Sequence, residues 1–535
     1  MKNKRGTKME KQTELNLIYG KSGTGKSQWM YHDIDQKIDN FQNIFIVVPE
    51  QSNLTCEKRF FEITGRKSLF NVEVLTLSRM AYRVSNEIGE VTSALSKVGK
   101  SMLIYDLLSK NKKNLNFLGK SERNIEIVNN MFTEFKKHNI STEMLKNVTL
   151  EDKYTTLKLN DIQYLYEKYE ERLTDALLDE NDQLTKLGQQ IKNSNLFENT
   201  AIYIDDFFGF TPQEFSIVEE LLKKCAEMSV MITLDDIKTD QTKETDIFYF
   251  NRQFARKILE IAKKQNCKVN FVPLNKIYRF KNEELAALEK NLYHSNEKFE
   301  KATENIQLFL ANNPYSEVEN VAKNIYNLVK NCGYQYRELG IVTNEIEHYA
   351  EDAKAIFAKY DIPLFVDEKK ELNQNILIQF IISLLEIFEQ NWSQDAVFHY
   401  LKMDLLSLDY ETICVLENYC KKWGIRGTKW YKQEFQYEPI NENQEKLENI
   451  RKQIVNPLLK LKQNFMENKT VLELTQAIYE FLIDNQIIEH LDTKIKAYQN
   501  LEISNEYNTS YKILIAILEE MVNLFRRRKS NICTL

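Results

Sequence analysis

The sequence has few glycines and prolines, and its cysteines and histidines lack the spacing of a metal site. Only 14 glycines and 7 prolines occur in 535 residues, which favours long helices with few tight turns. The 7 cysteines form no C-x-x-C pair and the 6 histidines no H-E-x-x-H motif, so no iron–sulfur or zinc framework is expected. We therefore expect reduced thiols in a protein of the cytoplasm.

Long apolar runs are also missing. No run approaches 18 residues, and residues 1–14 are polar and basic, so neither a membrane span nor a signal peptide is predicted. The net charge of −6 does not indicate nucleic-acid binding, although a large acidic protein can hold a local basic groove. With 43% hydrophobic and 28% charged residues, the chain is typical of globular proteins and long enough for several domains.

One short motif is present despite the scarcity of glycine. Residues 20–27, GKSGTGKS, fit the phosphate-binding loop G-x-x-x-x-G-K-[ST]. An apolar segment that is typical of a strand precedes it, and a helical spacing of apolar residues follows it. The predicted ATP-binding residues are Gly20, Lys21, Ser22, Gly23, Thr24, Gly25, Lys26 and Ser27.

The residue types of this motif suit a magnesium-bound nucleotide. Glycines let backbone N–H groups surround phosphate oxygens, and the start of the following helix adds positive partial charge. Lys26 is expected on the β- and γ-phosphates and the Ser27 hydroxyl on Mg²⁺. The alternative is a vestigial loop that keeps its shape but supports no turnover.

The order of predicted elements indicates an interrupted α/β domain. Strands are predicted at 43–48 and 72–76, residues 92–199 have a helical period throughout, and strands resume at 201–206 and 230–234. Motor-type helicases insert a helical subdomain into each of two core domains, so this interruption favours such a protein.

A second α/β unit is predicted further along the chain, without a phosphate loop of its own. Its expected strands are 306–310, 339–343 and 364–366, its helices are 316–330 and 349–360, and the remainder is helical. The expected domains are 1–91 (core domain 1, first part), 92–199 (helical insertion), 200–300 (core domain 1, second part), 301–372 (core domain 2, first part) and 373–535 (a second helical insertion, which we expect to be truncated).

Asp205 is the candidate second metal ligand. It ends an apolar strand, which is where an acid that holds Mg²⁺ lies in phosphate-loop folds. The alternative is a helix cap or loop acid. Asp206 stands where helicases that hydrolyse ATP usually have Glu, which weakens the case for fast turnover, and no catalytic residue is assigned.

Three residues are candidates for DNA contacts: Gln51 after a predicted strand, Arg79 on a predicted helix, and Phe208 in an aromatic cluster. Aromatic side chains can stack on bases. The alternatives are a surface ion pair for Arg79, with Arg83 beside it, and core packing for Phe207, Phe208 and Phe210. The basic residues 526–529 could contact phosphates, but a terminal charge run is usually only solvated.

Several segments together resemble the start of AddB, the B subunit of the bacterial ATP-dependent helicase/deoxyribonuclease. They include residues 20–27, 47–51 and 74–81. The most specific is 203–214, YIDDFFGFTPQE, where the family has a strand, Asp-Gly-Phe and Gly-Phe-Thr-Pro-Gln. Residues 355–367 are similar to its second α/β domain. Asp206 replaces the usual Gly of the family.

The resemblance implies a fold, an activity and a partner. It implies RecA-like domains as in UvrD-type helicases, that is, parallel sheets of the α/β class with large all-α insertions. It implies a heterodimer with an AddA/RexA-type helicase-nuclease subunit. The complex would process double-strand DNA ends for recombinational repair, and this chain would bind ATP·Mg²⁺ and single-stranded DNA and help to recognise Chi.

The chain has about half the length of family members. The nuclease domain, with its four-cysteine 4Fe-4S cluster, is therefore expected only in the C-terminal half that is absent here, and no residue of either is assigned. Two alternatives remain: a DNA-binding scaffold with a vestigial loop, or an unrelated phosphate-loop kinase or NTPase. The second α/β unit and the helical insertions disfavour the kinase.

Overall fold

The computed structural model describes residues 12–68, 70–90, 93–120, 124–173, 177–237, 244–292, 297–367, 374–437, 444–466, 470–498 and 501–525. The basic residues 526–529 lie outside the described residues. The chain forms two compact units, Met1–Ile306 and Gln307–Leu535. The strands assigned among the described residues all lie in the first unit: β1 (Glu14–Gly20), β2 (Asn43–Val47), β3 (Val72–Leu75), β4 (Ser93–Ala94), β5 (Leu177–Leu178), β6 (Thr200–Ile204), β7 (Glu227–Thr233) and β8 (Lys268–Pro273).

Six of these strands form one parallel sheet, in the order β3-β2-β6-β7-β1-β8. This confirms the predicted α/β class. Five of the six strands agree with those predicted from the sequence, and the sixth, β8, is an unpredicted edge strand that pairs with β1. No residue of β8 is fully buried and polar residues alternate with its apolar ones, so it lacks the continuous apolar run that marks the central strands.

The helices of the first unit cover both faces of the sheet and form the insertion between β3 and β6. They are α1 (Lys26–Lys37), α2 (Asn53–Thr64), α3 (Leu77–Ile88), α4 (Lys97–Lys110), α5 (Asn124–Lys137), α6 (Thr142–Lys146), α7 (Lys153–Glu170), α8 (Glu180–Gln190), α9 (Pro212–Lys224), α10 (Tyr249–Lys264) and α11 (Glu283–Asn291).

Alternate residues of the strands point to two separate cores. Leu17 and Ile202 pack in the core that includes α3, α8, α9 and α10. Ile18 and Tyr203 pack in the core with α1 and α2. Since both faces are covered, β2 and β6 are apolar without alternation, as is usual for parallel sheets, while β1 and β7 each bury one polar residue, Asn16 and Ser229, which hydrogen-bond to each other at 3.2 Å.

The predicted helical insertion is largely helical in the structure. Its core includes Phe132, whose ring lies 5.0 Å from that of Tyr166 and 5.1 Å from that of Tyr169. The prediction of helix throughout was wrong at two places, because β4 and β5 pair in parallel. A pair of two-residue strands is too short to leave a period in the sequence.

The last residues of segment 203–214, the segment that resembles the family most closely, have a structural role. Thr211 accepts a hydrogen bond from the backbone of Glu214 and forms a capping box with it, and Pro212 is the first residue of α9. The buried side chain of Gln213 donates to the carbonyl of Asn181 at 2.6 Å. These residues start α9 and fix it to α8.

The second unit consists of helices in the residues that the structure describes there. They are α12 (Pro314–Cys332), α13 (Ile346–Lys359), α14 (Ile376–Glu389), α15 (Gln394–Leu401), α16 (Tyr410–Trp423), α17 (Lys429–Lys432), α18 (Gln444–Met466), α19 (Val471–Asp484), α20 (Ile487–Tyr498) and α21 (Leu501–Phe525). Among the described helices of the chain, none combines the length and apolar character that crossing a membrane requires.

The prediction of strands in the second unit was wrong. Residues 306–310, 339–343 and 364–366 are described, and none is assigned as a strand. A strand needs a neighbour whose backbone N–H and C=O groups complete its ladder. Among the described residues, these three segments have no such neighbour. The two predicted helices of this unit are confirmed as α12 and α13.

Candidate functional site

The motif at residues 20–27 forms the turn between the end of β1 and the start of α1. Gly23 and Gly25 have φ values of +83° and +84°, a left-handed conformation that glycine adopts without strain. The backbone N–H of Thr24 and its hydroxyl both donate to the carbonyl of Lys21, at 3.3 and 2.9 Å. The turn is therefore closed by its own hydrogen bonds, at the N-terminus of a helix of 12 residues.

Lys26 lies across this turn. Its ammonium donates to the carbonyl oxygens of Gly20 at 2.8 Å and Lys21 at 3.0 Å. Burial lowers the pKa of Lys26, while the nearby carboxylate of Asp205 acts in the opposite direction. A half-buried cation at a helix N-terminus, whose hydrogen-bond partners among the described residues are neutral carbonyls, can bind an anion.

Asp205 and Ser27 meet beside the turn. β6 ends at Ile204, and the backbone N–H of Asp205 donates to the carbonyl of Val47 at 3.1 Å. The hydroxyl of Ser27 lies close enough to the carboxylate of Asp205 to lower the pKa of that acid. Burial raises the pKa of Asp205, and the nearby Ser27 hydroxyl and Lys26 ammonium oppose that rise.

These two oxygen donors fit a magnesium ion. Mg²⁺ is usually held by one or two carboxylates together with substrate phosphates. A cation here would also lower the cost of ionising the buried acid. In the described part of the chain, at this site as well as elsewhere, no group of three or more His, Cys, Asp or Glu side chains could hold a metal ion, so the protein would supply only part of the coordination and the phosphates the rest.

Asp206, the next residue, makes a contact of its own with Ser52, although its charge also raises the pKa of Asp205. Its φ is +69°, so it occupies the left-handed region that favours glycine or, less strongly, Asn and Asp. Its carboxylate accepts a hydrogen bond from the Ser52 hydroxyl at 2.7 Å. The left-handed φ gives a physical reason why Gly suits this position, and the contact with Ser52 gives Asp206 a structural role here.

The segment after β8 contacts the turn, a feature that was not predicted from the sequence. The backbone N–H of Tyr278 donates to the carbonyl of Gly23 at 2.9 Å, and the Arg279 guanidinium donates to the Ser22 hydroxyl at 2.9 Å. A Cβ on Gly23 would overlap the Arg279 side chain. Gly23 is therefore required both by its φ and by this close approach.

α11 also reaches the turn. The Lys21 ammonium and the Glu289 carboxylate are 3.2 Å apart. This contact and Arg279 were missed because β8, which directs the chain back to the turn, was not predicted. The signal that could have identified β8 is the alternation of Val269 and Phe271 with polar residues, followed by a proline.

The three candidate DNA contacts follow the carboxyl ends of three neighbouring strands: Gln51 follows β2, Arg79 follows β3, and Phe208 follows β6. Gln51 and Arg79 are exposed, and Phe208 is 72% exposed. The other two phenylalanines pack instead, with the rings of Phe207 and Phe210 4.8 Å apart. Of this cluster, Phe208 is the side chain that is free to meet a ligand.

The neighbouring arginines differ in their contacts. The backbone N–H of Arg79 donates to the Thr76 hydroxyl that caps α3, and its side chain has no carboxylate within 4 Å in the described part of the structure. Arg83 lies 3.5 Å from Glu73. The alternative of a surface ion pair therefore describes Arg83 and not Arg79.

Comparison with known proteins finds that the chain is similar to one group of proteins. A family model described as "ADDB, N-terminal" matches residues 17–289. Proteins named as the B subunit of an ATP-dependent helicase/deoxyribonuclease are similar over 97% of the chain: 34% identical in Clostridium tetani, 31% in Clostridium acetobutylicum and 34% in a Thermoanaerobacter species. The matches cover 48%, 47% and 47% of those proteins, so the chain spans about half their length.

Proposed function

Because the chain belongs to the AddB family, we propose that it is the nucleotide-binding and DNA-binding part of the B subunit of an ATP-dependent helicase/deoxyribonuclease. The single observation that supports this most is the turn at residues 20–27, in which the Lys26 ammonium donates to the carbonyl of Gly20 and the Ser27 hydroxyl lies beside the buried Asp205. These groups match the needs of ATP·Mg²⁺.

Each side chain has a separate role in the proposal. Lys26 would exchange its two carbonyl partners for phosphate oxygens, and Ser27 and Asp205 would hold Mg²⁺. Arg279, which already contacts Ser22, would add a second cation at the phosphates. Gln51, Arg79 and Phe208 would contact single-stranded DNA at the same edge of the sheet.

The proposal extends to an assembly. The names of the relatives describe one subunit of a larger enzyme, so we infer a partner of the AddA/RexA type. With it, the chain would process double-strand DNA ends for recombinational repair and help to recognise Chi. Pulldown of the co-expressed partner from the same genome tests this part, and a well-folded chain that retains no partner would contradict it.

The nucleotide site is tested by two lysine variants of the same turn. Lys26→Ala removes a charged hydrogen-bond donor, worth about 1.5–3 kcal/mol, so the affinity for a fluorescent ATP analogue with Mg²⁺ should fall about tenfold to hundredfold. Lys21→Ala is the matched control, because its side chain pairs with Glu289 and its backbone is unchanged.

The same titration separates the alternatives. An ATP affinity that is equal in Lys26→Ala and the wild type would indicate a vestigial loop. Single-stranded DNA binding that persists but does not respond to ATP would then favour the DNA-binding scaffold. ATP binding without any DNA binding would favour an unrelated NTPase.

A further inference from the structure

A short segment of the second unit differs in charge from the rest of the chain. Residues 421–432, which run from the last turn of α16 through α17 and which we call the basic loop, contain 5 basic residues and no acidic one, whereas the whole chain has a net charge of −6. All five side chains are exposed. They are Lys421, Lys422, Arg426, Lys429 and Lys432.

The backbone of the basic loop is held in one conformation. Gly424 and Gly427 adopt φ values of +61° and +60°. The backbone N–H of Ile425 donates to the carbonyl of Cys420, and that of Gly427 to the carbonyl of Trp392, both at 2.9 Å. Each turn of the loop therefore has a hydrogen bond that fixes it.

Two apolar side chains anchor the loop in the core. Ile425 and Trp430 are buried, and the Arg451 guanidinium donates to the carbonyl of Trp430 at 2.6 Å. The cations consequently project from a fixed frame. A surface of this kind loses less conformational entropy on binding than a mobile loop does.

Part of this charge is not neutralised within the chain. Lys421 pairs with Glu417 at 2.8 Å, and Lys429 donates to the carbonyl of Gly424 at 3.1 Å. Within the described ranges, Arg426 and Lys432 have no carboxylate within 4 Å. These two cations are available to an external anion.

An aromatic pair borders the cations. The rings of Trp423 and Tyr437 are stacked, with centroids 4.4 Å apart and planes at 9°. The ammonium of Lys422 lies 4.8 Å from the Trp423 ring centroid. Tyr437 is 49% exposed, so an aromatic surface lies next to positive charge.

Resting on the proposed function of the chain in DNA processing, we propose that the basic loop is a contact site for single-stranded DNA. Arg426 and Lys432 contact backbone phosphates, and the exposed part of Tyr437 stacks on a base. Cations that follow a backbone, combined with an aromatic surface, are the features that single-strand binding sites share. A membrane surface would use the charge but offers no base for Tyr437.

The test compares two double variants of the whole chain. Arg426→Ala with Lys432→Ala removes two of the four cations of the loop that lack a carboxylate partner in the described residues; the other two are Lys422, which lies against the Trp423 ring, and Lys429, which donates to the carbonyl of Gly424. Lys496→Ala with Lys512→Ala is the matched control, because both lysines are exposed on α20 and α21 and also lack a carboxylate partner in the described structure. Binding of a labelled oligothymidylate is measured by fluorescence anisotropy over a range of salt concentrations.

We expect the loop variant to bind about tenfold more weakly at low salt, and its log–log salt slope to fall by about 1.4, since each lost phosphate contact contributes about 0.7 for single strands. The control should change by less than about twofold. Tyr437→Leu should weaken binding at least about fivefold without changing the slope, because stacking involves no counterion release.

The outcomes separate this proposal from the proposed function. If the wild-type chain binds no DNA, both fail. If it binds DNA and the two double variants behave alike, only the basic-loop proposal is overturned. It is also overturned if the loop variant loses binding to phosphatidylserine vesicles while its DNA affinity is unchanged.

Discussion

The strands of the first unit and the extended segments of the second unit are similarly apolar, but their exposure is opposite. Leu17 in β1 is 0% exposed, while Leu308 in the segment 306–310 is 102% exposed. β1 has a strand on each side and helices over both faces. The segment 306–310 has no ladder partner in the described part of the structure.

This difference shows what can be predicted from an apolar run of residues and what cannot. Its composition indicates that the segment is suited to burial, but burial and strand formation both depend on what lies beside it. A strand in the middle of a parallel sheet receives its hydrogen bonds and its apolar contacts from elements distant in sequence. A leucine side chain therefore contributes much more to stability in a central strand of the sheet than in an exposed segment.

The largest expected effect comes from making the same leucine-to-alanine substitution at a buried and at an exposed position. Leu17→Ala should destabilise the first unit by about 2–5 kcal/mol, because it removes buried methyl groups and leaves a cavity. Leu308→Ala should change stability by no more than about 0.5 kcal/mol. Urea unfolding followed by circular dichroism measures both, and losses of similar size would show that the segment 306–310 is packed in solution.

A second pair of substitutions tests the same contrast between a packed and an exposed side chain, here within the segment between β6 and α9. Phe210→Ala should cost about 2–3 kcal/mol, because its ring lies 5.0 Å from Phe254 and 5.6 Å from Phe215. Phe208→Ala should leave the melting temperature nearly unchanged but weaken single-stranded DNA binding. Thermal unfolding and anisotropy together check this, and the reverse pattern would remove Phe208 as a candidate contact.

The smallest expected effect is at Asp206, where the backbone conformation and not side-chain packing determines which residue is favoured. Asp206→Ala should cost about 1–2 kcal/mol, since alanine is strained at positive φ and the Ser52 hydrogen bond is lost. Asp206→Gly loses the same bond but relieves the strain, so it should stay within about 1 kcal/mol of the wild type. Ser52→Ala is the control for the hydrogen bond alone. Equal costs for the Ala and Gly variants would show that the conformation is unimportant.

Much of the fold was predictable where the signal is local. The alternation of strand and helix around residues 20–27 identified five strands of the sheet, because their apolar runs are continuous and bounded by turn residues. Lys26, Ser27 and Asp205 were identified as a set from a motif and from one strand end. The contacts among these three residues were not predicted, because they depend on the strand order of the sheet. That order places β6 two positions from β1, and no single segment of the sequence determines it.

Local patterns in the amino-acid sequence were enough to establish the α/β class, the insertion of helices between β3 and β6, and the family. They were enough because hydrophobic period and short motifs are properties of neighbouring residues. Three outcomes required the folded chain: that Arg279 and Glu289 contact the phosphate-loop motif, that Phe208 is exposed while Phe210 is packed, and that three apolar segments of the second unit form no strands. Those outcomes depend on contacts between residues far apart in the chain, and such contacts leave no local pattern.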